Sequence, residues 1–384
     1  MTVAFISRCL THGAGVGRYA RHLVRELSRI CPDDIVLLTN KPLGALACNL
    51  RVIERRRSNP ASILLWEQVD IPRIARRERF DVLYNPDYVL PARSCCPGVV
   101  TVHDISYATL PRYAGLRARL YYGAFARGSA RRARKVITVS EFSRRTIRDY
   151  FGLDDANLAV AYPAADDRFR PRICAGDIEM VRRKYGIGRE YILYVGLLGG
   201  WKNVEGLLEA YARVLREADR PIDLVLAGRT CSGTAGIMAA AGSMQFGSYL
   251  HVLANADDDD LPLLYNGAAV FAFPSLSEGF GLPPLEAMQS GVPVVCTNAG
   301  ALPEVTGNAA VQVPPDNVNS LAEALLNVLH DQKLRERMAA KGLEQARKFS
   351  WERCARQVAD VFQEVAGCSE KKADAVESAG VQQR

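Results

Sequence analysis

Short apolar segments rich in Val and Ile recur along this 384-residue chain, and each is followed by a longer segment with helical periodicity. In the first half they span residues 3–7, 35–39, 82–84, 99–103 and 136–140, and in the second half 191–195, 223–227, 270–274, 292–297 and 310–313. Continuous apolar strands that alternate with helices are typical of parallel sheets covered by helices on both faces. The sequence therefore predicts two doubly wound α/β domains. Ligands of such sheets bind beyond the carboxyl ends of the strands, which predicts a site in the cleft between the halves.

The predicted boundary lies in residues 162–172 (YPAADDRFRPR), where two prolines and clustered charges interrupt the pattern. We expect a first domain over residues 1–170 and a second over 171–366, with packing of the last helix on the first domain as an option. The segment 367–384 (GCSEKKADAVESAGVQQR) is small and polar, and its composition predicts a disordered tail.

The composition indicates the cellular compartment of the protein. The ten cysteines form no C-x-x-C pair, which disfavours a disulfide scaffold or zinc module and favours a reducing cytoplasm. No apolar run approaches the roughly 18 residues of a membrane span. The first residues, MTVAFISRCL, are interrupted by Arg8 and read as a strand, not as a signal peptide.

The charge differs between the two halves. Residues 1–190 hold 33 Lys and Arg against 19 Asp and Glu, whereas residues 191–384 hold 16 against 23. This asymmetry indicates an anionic partner for the first half, and a nucleic acid, an anionic membrane surface or a polyphosphate substrate would each satisfy it.

The most specific motif is SLSEGFGLPPLEA at residues 275–287, directly after the predicted strand 270–274. Glu278 would lie in a glycine-rich loop, and the proline pair 283–284 suits the first turn of a helix that carries Glu286. Two carboxylates would then converge on one pocket wall, suited to binding hydroxyl groups. An acidic loop followed by a glutamate that complements the helix dipole is the alternative.

Two other segments place cations or amides beside helix starts. Lys202 follows the glycine-rich segment GLLGG and precedes a predicted helix, where it could neutralise a diphosphate; a solvated capping residue is the alternative. Gly13, Gly15 and Gly17 precede a predicted helix and would let backbone amides approach a phosphate or sugar, or form a tight turn. Their pattern is not the full dinucleotide fingerprint, which disfavours a nicotinamide cofactor.

Polar residues also follow two strands of the first half. His103 and Asp104 end the strand 99–103, where they could bind a polyol, although a lone histidine is equally consistent with a structural role. Ser140 lies between a strand and a helix, and we predict that it caps the helix.

Together these segments resemble glycosyltransferase family 4. SEGFGLPPLEAM with GVPVV and ALPEVTGNAA is similar to the donor half of that family, and LPLLYNGA, VHDIS, VSEFS and GVGRYA follow the same order as in the family. The resemblance covers roughly residues 3–365. It implies the GT-B fold, which is two facing Rossmann-like domains, and transfer of a sugar from a nucleotide donor with retention at the anomeric carbon. It implies no metal and no other cofactor, because protein cations and helix ends hold the diphosphate.

The resemblance also implies a role for each residue. Glu278 would bind the donor sugar together with the amides near Gly279, Phe280, Gly281 and Leu282. Glu286 would bind the ribose, Lys202 the diphosphate with help from Gly15 and Gly17, and His103 the donor sugar or acceptor near the reacting carbon. Lys202, Glu278 and His103 are thus the predicted catalytic residues.

One departure from the family concerns the diphosphate. Many members carry an arginine directly after the glycine at Gly196 or directly before the lysine at Lys202, where this chain has Leu197 and Trp201. The second cation would then come from Arg229 or Arg18, or be missing. Loss of one charge-assisted contact to the diphosphate would weaken binding of this leaving group by about 1.5–3 kcal/mol.

A basic segment of the first half predicts a membrane contact. No acidic residue lies between Asp104 and Glu141, while residues 112–135 hold eight basic ones interleaved with Leu and aromatic residues. Tyr113, Leu116 and Leu120 would share one side of a helix, as in an interfacial amphipathic segment. The hypothesis is peripheral docking on the inner face of the cell membrane with a lipid-linked saccharide as acceptor. A solvated helix is the alternative.

These features favour a retaining glycosyltransferase that moves mannose from GDP-mannose onto a glycan or lipid-linked saccharide of a cell-surface polysaccharide. The donor follows from the resemblance alone, and a UDP-hexose or dTDP-rhamnose donor stays open. An epimerase or phosphorylase on the same fold has no distinct signature here. A nucleic-acid-binding protein would have no use for the paired glutamates, and we recognise no such module. A binding protein that has lost turnover is the last alternative, motivated by Leu197 and Trp201.

Overall fold

The structure is a computed structural model that describes residues 1–11, 15–113, 115–171, 174–231, 233–244, 246–254 and 256–381, without the side chains of 117, 118, 120, 121, 124 and 368–381. The chain divides into two compact units. Unit 1 comprises Met1–Pro163 with Ser350–Arg384, and unit 2 comprises Ala164–Phe349. The division thus lies between Pro163 and Ala164, not after residue 170 as predicted, and the chain returns to unit 1 after Phe349.

The strands and helices alternate along both units. The strands are β1 Val3–Ile6, β2 Ile35–Thr39, β3 Arg51–Glu54, β4 Val82–Asn85, β5 Gly98–Thr101, β6 Lys135–Thr138, β7 Leu158–Val160, β8 Tyr191–Val195, β9 Asp223–Gly228, β10 Leu250–Ala254, β11 Val270–Phe273, β12 Val294–Thr297 and β13 Val311–Val313. The α-helices are α1 Gly15–Ile30, α2 Pro60–Leu65, α3 Ile71–Glu78, α4 Ser106–Thr109, α5 Leu116–Arg132, α6 Glu141–Phe151, α7 Ala175–Lys184, α8 Val204–Glu217, α9 Thr234–Ser243, α10 Leu261–Asn266, α11 Leu282–Gln289, α12 Leu302–Thr306, α13 Val318–His330, α14 Gln332–Ala346 and α15 Trp351–Val381.

Unit 1 contains a seven-stranded parallel sheet in the order β3-β2-β1-β4-β5-β6-β7. Strand β1 (VAFI), in the interior of the sheet, is buried along its whole length, because helices cover both faces of such a sheet. Helix α15 packs on α1, where the Trp351 ring stacks on His22 with centroids 4.7 Å apart.

Unit 2 contains a six-stranded parallel sheet in the order β10-β9-β8-β11-β12-β13. The ends of β8 and β9 approach so closely that a Cβ at Gly228 would overlap the Gly196 carbonyl, so only glycine fits there. The predicted pair of doubly wound parallel-sheet domains is confirmed.

The apolar pattern did not predict the strands β3, β7 and β10, which all lie at sheet edges. An edge strand pairs on one side only and needs no continuous apolar run. Strand β3 (RVIE) is largely exposed, and β7 has three residues.

The tail also differs from the prediction. Helix α15 continues to Val381, where composition predicted disorder from residue 367. The segment contains several Ala, Glu and Lys residues, which favour helix. For residues 382–384 the prediction lies outside the described residues.

Candidate functional site

Lys202 lies at the carboxyl end of β8, the strand at which the sheet of unit 2 reverses its order. A 3-10 turn, Gly200–Lys202, follows the glycine-rich loop, and Asn203 adopts a left-handed conformation with φ 54° before α8 begins. Strand β11, which leads to Glu278, pairs with β8. The two loops therefore meet at the switch point of the sheet, where doubly wound folds bind ligands.

Lys202 and Glu278 form an ion pair at this position. The Lys202 Nζ donates to Oε1 of Glu278 at 2.6 Å, and the two side chains are 14% and 12% exposed. The same ammonium lies 5.2 Å from the centroid of the Phe273 ring and 5.9 Å from that of Trp201. The structure thus brings the predicted cation and carboxylate together, and their binding of a diphosphate and a sugar stays a prediction.

A third loop holds the backbone of Glu278. The Ala301 amide donates to the Glu278 carbonyl at 2.9 Å, and Gly300 (φ +63°) lies against the Glu278 backbone so closely that a Cβ would overlap it. This loop follows β12, the neighbour of β11. Sequence reasoning missed Gly300, although the sequence GALPE just after a predicted strand was a usable signal.

The loop after Glu278 turns directly into α11. Gly281 has φ +115°, and Leu282 is the first residue of the helix. The Phe280 ring packs inside unit 2 on Phe349, with centroids 5.6 Å apart. Phe280 could therefore serve a ligand through its backbone, whereas its side chain anchors the loop beside Gly279.

Glu286 lies on α11 and is 1% exposed. One of its carboxylate oxygens accepts a hydrogen bond from the Tyr265 hydroxyl at 3.0 Å. The structure thus gives this glutamate a buried protein partner, and ribose binding by Glu286 stays a prediction.

Arg229 follows β9, next to the Lys202 loop. Its carbonyl accepts from the Leu198 amide at 2.9 Å, and its side chain is exposed. Within the described ranges its guanidinium has no hydrogen-bond or ion-pair partner. Trp201 contributes backbone instead of charge, because its carbonyl accepts from the Leu276 amide at 2.9 Å. Arg229 is therefore the candidate second cation within unit 2.

In unit 1, His103 follows β5 and is half-buried. Its Nε2 lies 2.9 Å from the Pro86 carbonyl, which can only accept, so Nε2 carries the proton. Burial lowers the pKa of His103, opposed by that hydrogen bond and by Asp87 and Asp104. The neutral ring then has an acceptor at Nδ1, suited to a hydroxyl group. The Tyr19 ring contacts the imidazole edge-to-face at 4.8 Å.

The predicted cap at Ser140 is confirmed, because its Oγ accepts from the Ser143 amide at 3.0 Å. The glycine-rich segment differs from the prediction. Gly15 and Gly17 belong to the first turn of α1 and not to a loop before it, and Arg18 follows in the same turn. The first amides of a helix have no intrahelical acceptor, so an anion role stays consistent with this placement. Gly13 lies outside the described residues.

A cavity of about 460 Å³ in unit 1 was not predicted. It lies beyond the carboxyl ends of β1 and β2 and combines polar groups with the apolar side chains of α2. Arg8 donates to Glu67 at 2.6 Å inside it, and burial raises the pKa of Glu67 while Arg8 opposes the shift. Its lining comprises Arg8, Thr11, Asn40, Lys41, Pro60, Ile63, Leu64, Glu67 and Phe125.

Helix α5 carries part of the predicted membrane segment. Leu116 is 68% exposed and Phe125 41%, whereas Tyr122 faces inward onto Tyr88 and Tyr107. The side chain of Leu120 lies outside the description. None of the described helices has the length and apolar character needed to cross a bilayer.

Comparisons with known proteins agree with this architecture. A sequence model for "Glycosyl transferases group 1" matches residues 177–345, and one for "Glycosyltransferase Family 4" matches residues 13–169. Among solved structures, sucrose-phosphate synthase from Thermosynechococcus elongatus has a TM-score of 0.77 at 19% identity, over 96% of this chain and all of that one (100%). The two Rossmann-like units are the GT-B fold.

Two relatives match the chain over nearly its full length. O-antigen chain mannosyltransferase B of Escherichia coli is 32% identical, over 91% of this chain and 95% of that protein. MMP alpha-(1->4)-mannosyltransferase of Mycolicibacterium hassiacum is 28% identical, over 96% and 100% respectively. The chain therefore belongs to glycosyltransferase family 4.

Proposed function

We propose that the protein transfers mannose from GDP-mannose to a saccharide chain, with retention at the anomeric carbon and without a metal ion. The observation that carries the proposal is the Lys202–Glu278 pair at the switch point of unit 2. The choice of mannose is supported by two relatives whose names describe them as mannosyltransferases and which match nearly the whole chain.

Electrostatic stabilisation of the departing diphosphate would supply the catalysis. Lys202 and Arg229 would take up its charge, which serves in place of a metal. The acceptor hydroxyl would attack the anomeric carbon on the face from which the phosphate leaves. The bond from carbon to the phosphate oxygen breaks, the new glycosidic bond forms, and the hydroxyl proton passes to the departing phosphate oxygen. No protein nucleophile is assigned.

We assign the sugar contacts to Glu278 and His103. The Glu278 carboxylate accepts hydrogen bonds from sugar hydroxyls once the diphosphate has taken Lys202. The neutral His103 ring accepts at Nδ1 from a hydroxyl of the donor sugar or acceptor, because its Nε2 proton is committed to Pro86.

We place the acceptor in the cavity of about 460 Å³ in unit 1. Lys41 and the Arg8–Glu67 pair offer hydrogen bonds to a saccharide, and Leu64 and Phe125 offer apolar surface. An acceptor carried on a lipid is supported by the exposed Leu116 and Phe125 of α5, close in sequence to its arginines. The protein would then dock on the anionic cytoplasmic face of the cell membrane.

The donor is tested by thermal unfolding with GDP, UDP, dTDP and ADP and with their sugar conjugates. A ligand at 100 times its dissociation constant adds about 2.7 kcal/mol to the folded state. We expect a shift with GDP and GDP-mannose only. A shift with UDP or dTDP instead would contradict the donor. No shift with any nucleotide, in well-folded protein, would contradict the transferase function and favour loss of the donor site through Trp201.

The reaction itself is tested with GDP-mannose and a mannose-terminated saccharide, and NMR of the product reports the anomeric configuration. An inverted product would contradict the retaining mechanism.

Membrane docking is tested by flotation with phosphatidylglycerol vesicles at physiological salt, where absence of the protein from the floated fraction would contradict it. A Leu116→Ser/Phe125→Ser variant should float less than the unchanged protein.

A further inference from the structure

A second cavity in unit 1, of about 260 Å³, lies beyond the carboxyl end of the edge strand β3. Two arginines that follow β3 and two from α3 surround it, together with one aspartate and the buried Ile74. Its lining comprises Arg55, Arg57, Asp70, Arg73, Ile74 and Arg77.

The carboxylates near this cavity do not balance its arginines. Asp70 accepts from Nη2 of Arg57 at 2.9 Å. Arg77 donates to Glu78 at 2.7 Å, but Glu78 also accepts from Arg51 at 2.6 Å, and these two arginines hold the pKa of Glu78 below its usual range.

The remaining two arginines have no counter-charge. Over the ranges that the structure describes, the guanidinium groups of Arg55 and Arg73 have neither a hydrogen-bond acceptor nor an ion-pair partner. Two guanidinium groups without counter-charge beside two paired ones leave a net positive charge around one concavity, and an anion in the cavity would reduce it.

The size and donor chemistry define the class of anion. Guanidinium groups bind phosphate oxygens through two parallel N–H donors each. The volume lies below the roughly 300 Å³ at which drug-sized ligands begin to fit. A phosphate group fits these properties better than a nucleotide sugar.

The sheet order separates this cavity from His103. Strand β3 is four strand positions from β5, which leads to His103, and neighbouring strands lie about 4.8 Å apart. The two strands are therefore about 19 Å apart. The arginines are therefore not part of the sugar contact assigned to His103.

We propose that Arg55, Arg57, Arg73 and Arg77 form a phosphate-binding site in unit 1, distinct from the His103 contact. The inference does not depend on mannose transfer. The phosphate is either free or part of a phospholipid headgroup, and the test distinguishes these two sources.

The test uses the full chain with saturating GDP, so that added anions do not report on Lys202. Inorganic phosphate and pyrophosphate are titrated by calorimetry at constant ionic strength. Sedimentation with phosphatidylcholine vesicles, with and without phosphatidic acid, gives the second measurement. The variant is Arg55→Gln/Arg73→Gln, and the control is Arg56→Gln/Arg76→Gln, which removes the same charge from exposed neighbours outside the cavity.

We expect saturable binding that weakens at least tenfold in Arg55→Gln/Arg73→Gln and less than twofold in the control, at unchanged Tm. Binding of the soluble anions identifies free phosphate as the source, and binding of phosphatidic acid vesicles alone identifies the headgroup. Equal loss of affinity in both variants would mean that net charge alone explains the binding, and this result would overturn the site. Absence of binding to every probe would also overturn it. Lys202→Met should leave this binding intact, so failure of the proposed transferase function shows separately.

Discussion

Lys202 and Glu278 neutralise each other in the protein without donor, and this pairing gives their substitutions opposite effects on nucleotide binding. The ion pair is 2.6 Å long and largely shielded from solvent. A diphosphate that binds Lys202 therefore competes with the carboxylate for the ammonium. We expect Lys202→Met to weaken GDP binding and Glu278→Gln to strengthen it, although both lower turnover because Glu278→Gln also removes the contact to the sugar.

The magnitudes follow from the strength of one charged hydrogen bond. Such a bond contributes about 1.5–3 kcal/mol, so Lys202→Met should weaken GDP binding about 10- to 150-fold. A charge-assisted hydrogen bond is roughly twice as strong as a neutral one. An amide at position 278 should therefore bind Lys202 about half as strongly as the carboxylate does. Because GDP then competes with a weaker partner, its binding should tighten about 3- to 12-fold.

The measurement is calorimetry with GDP alone, followed by kcat/KM with GDP-mannose. Lys333→Met and Glu344→Gln, on the exposed side of α14 in unit 2, remove the same charges and should change GDP affinity less than twofold. If Glu278→Gln weakened GDP binding as Lys202→Met does, the carboxylate would position the lysine instead of competing for it. The reasoning from the ion pair would then be refuted.

Four further outcomes are expected. Gly300→Ala should lower the free energy of unfolding by more than about 1 kcal/mol in a urea titration, because a Cβ there overlaps the Glu278 backbone, whereas Gly242→Ala, with open space around it, should not lower it. Arg229→Gln should weaken GDP binding about tenfold by calorimetry, with the exposed Arg216→Gln as a control that leaves it unchanged. Burial lowers the folded-state pKa of His103 below 6.5, so below that pH the unfolded state binds more protons than the folded state does. The free energy of unfolding should therefore fall as the pH drops through 6.5. His103→Gln should remove this part of the pH dependence. Dialysis against EDTA should leave turnover unchanged, and a loss that Mg²⁺ or Mn²⁺ restores would contradict the metal-free mechanism.

The central strands were predictable because each is buried on both faces and therefore appears as a continuous apolar run. Strand β8 (YILYV) is buried at all five positions. The edge strand β3 gave no such signal, because this polar strand gains its stability from pairing with β2 and not from burial. The start of α11 was predictable for a different reason, since the proline pair 283–284 restricts the backbone locally.

The functional residues divide in the same way. Glu278 and Lys202 lie in segments with local signals, namely glycines before a helix. The contact of Gly300 with Glu278, and the pair of Arg8 with Glu67, join segments that are distant in sequence. No local pattern encodes such contacts, because they depend on the order of strands in the sheet.

Each of the two sheets also has charged residues at the point where its strand order reverses. In unit 2 the order reverses between β8 and β11, and these strands lead to Lys202 and Glu278. In unit 1 it reverses between β1 and β4, and these lead to Arg8 and Asp87, which line one small cavity together with Glu67. Each unit thus has charged side chains at its own switch point, where side chains from two loops can surround one ligand. In unit 1 the Arg8–Glu67 pair also lines the larger cavity beyond β1 and β2, so the proposed acceptor cavity begins beside this reversal, although no sequence motif comparable to SEGFGLPPLEA marks it.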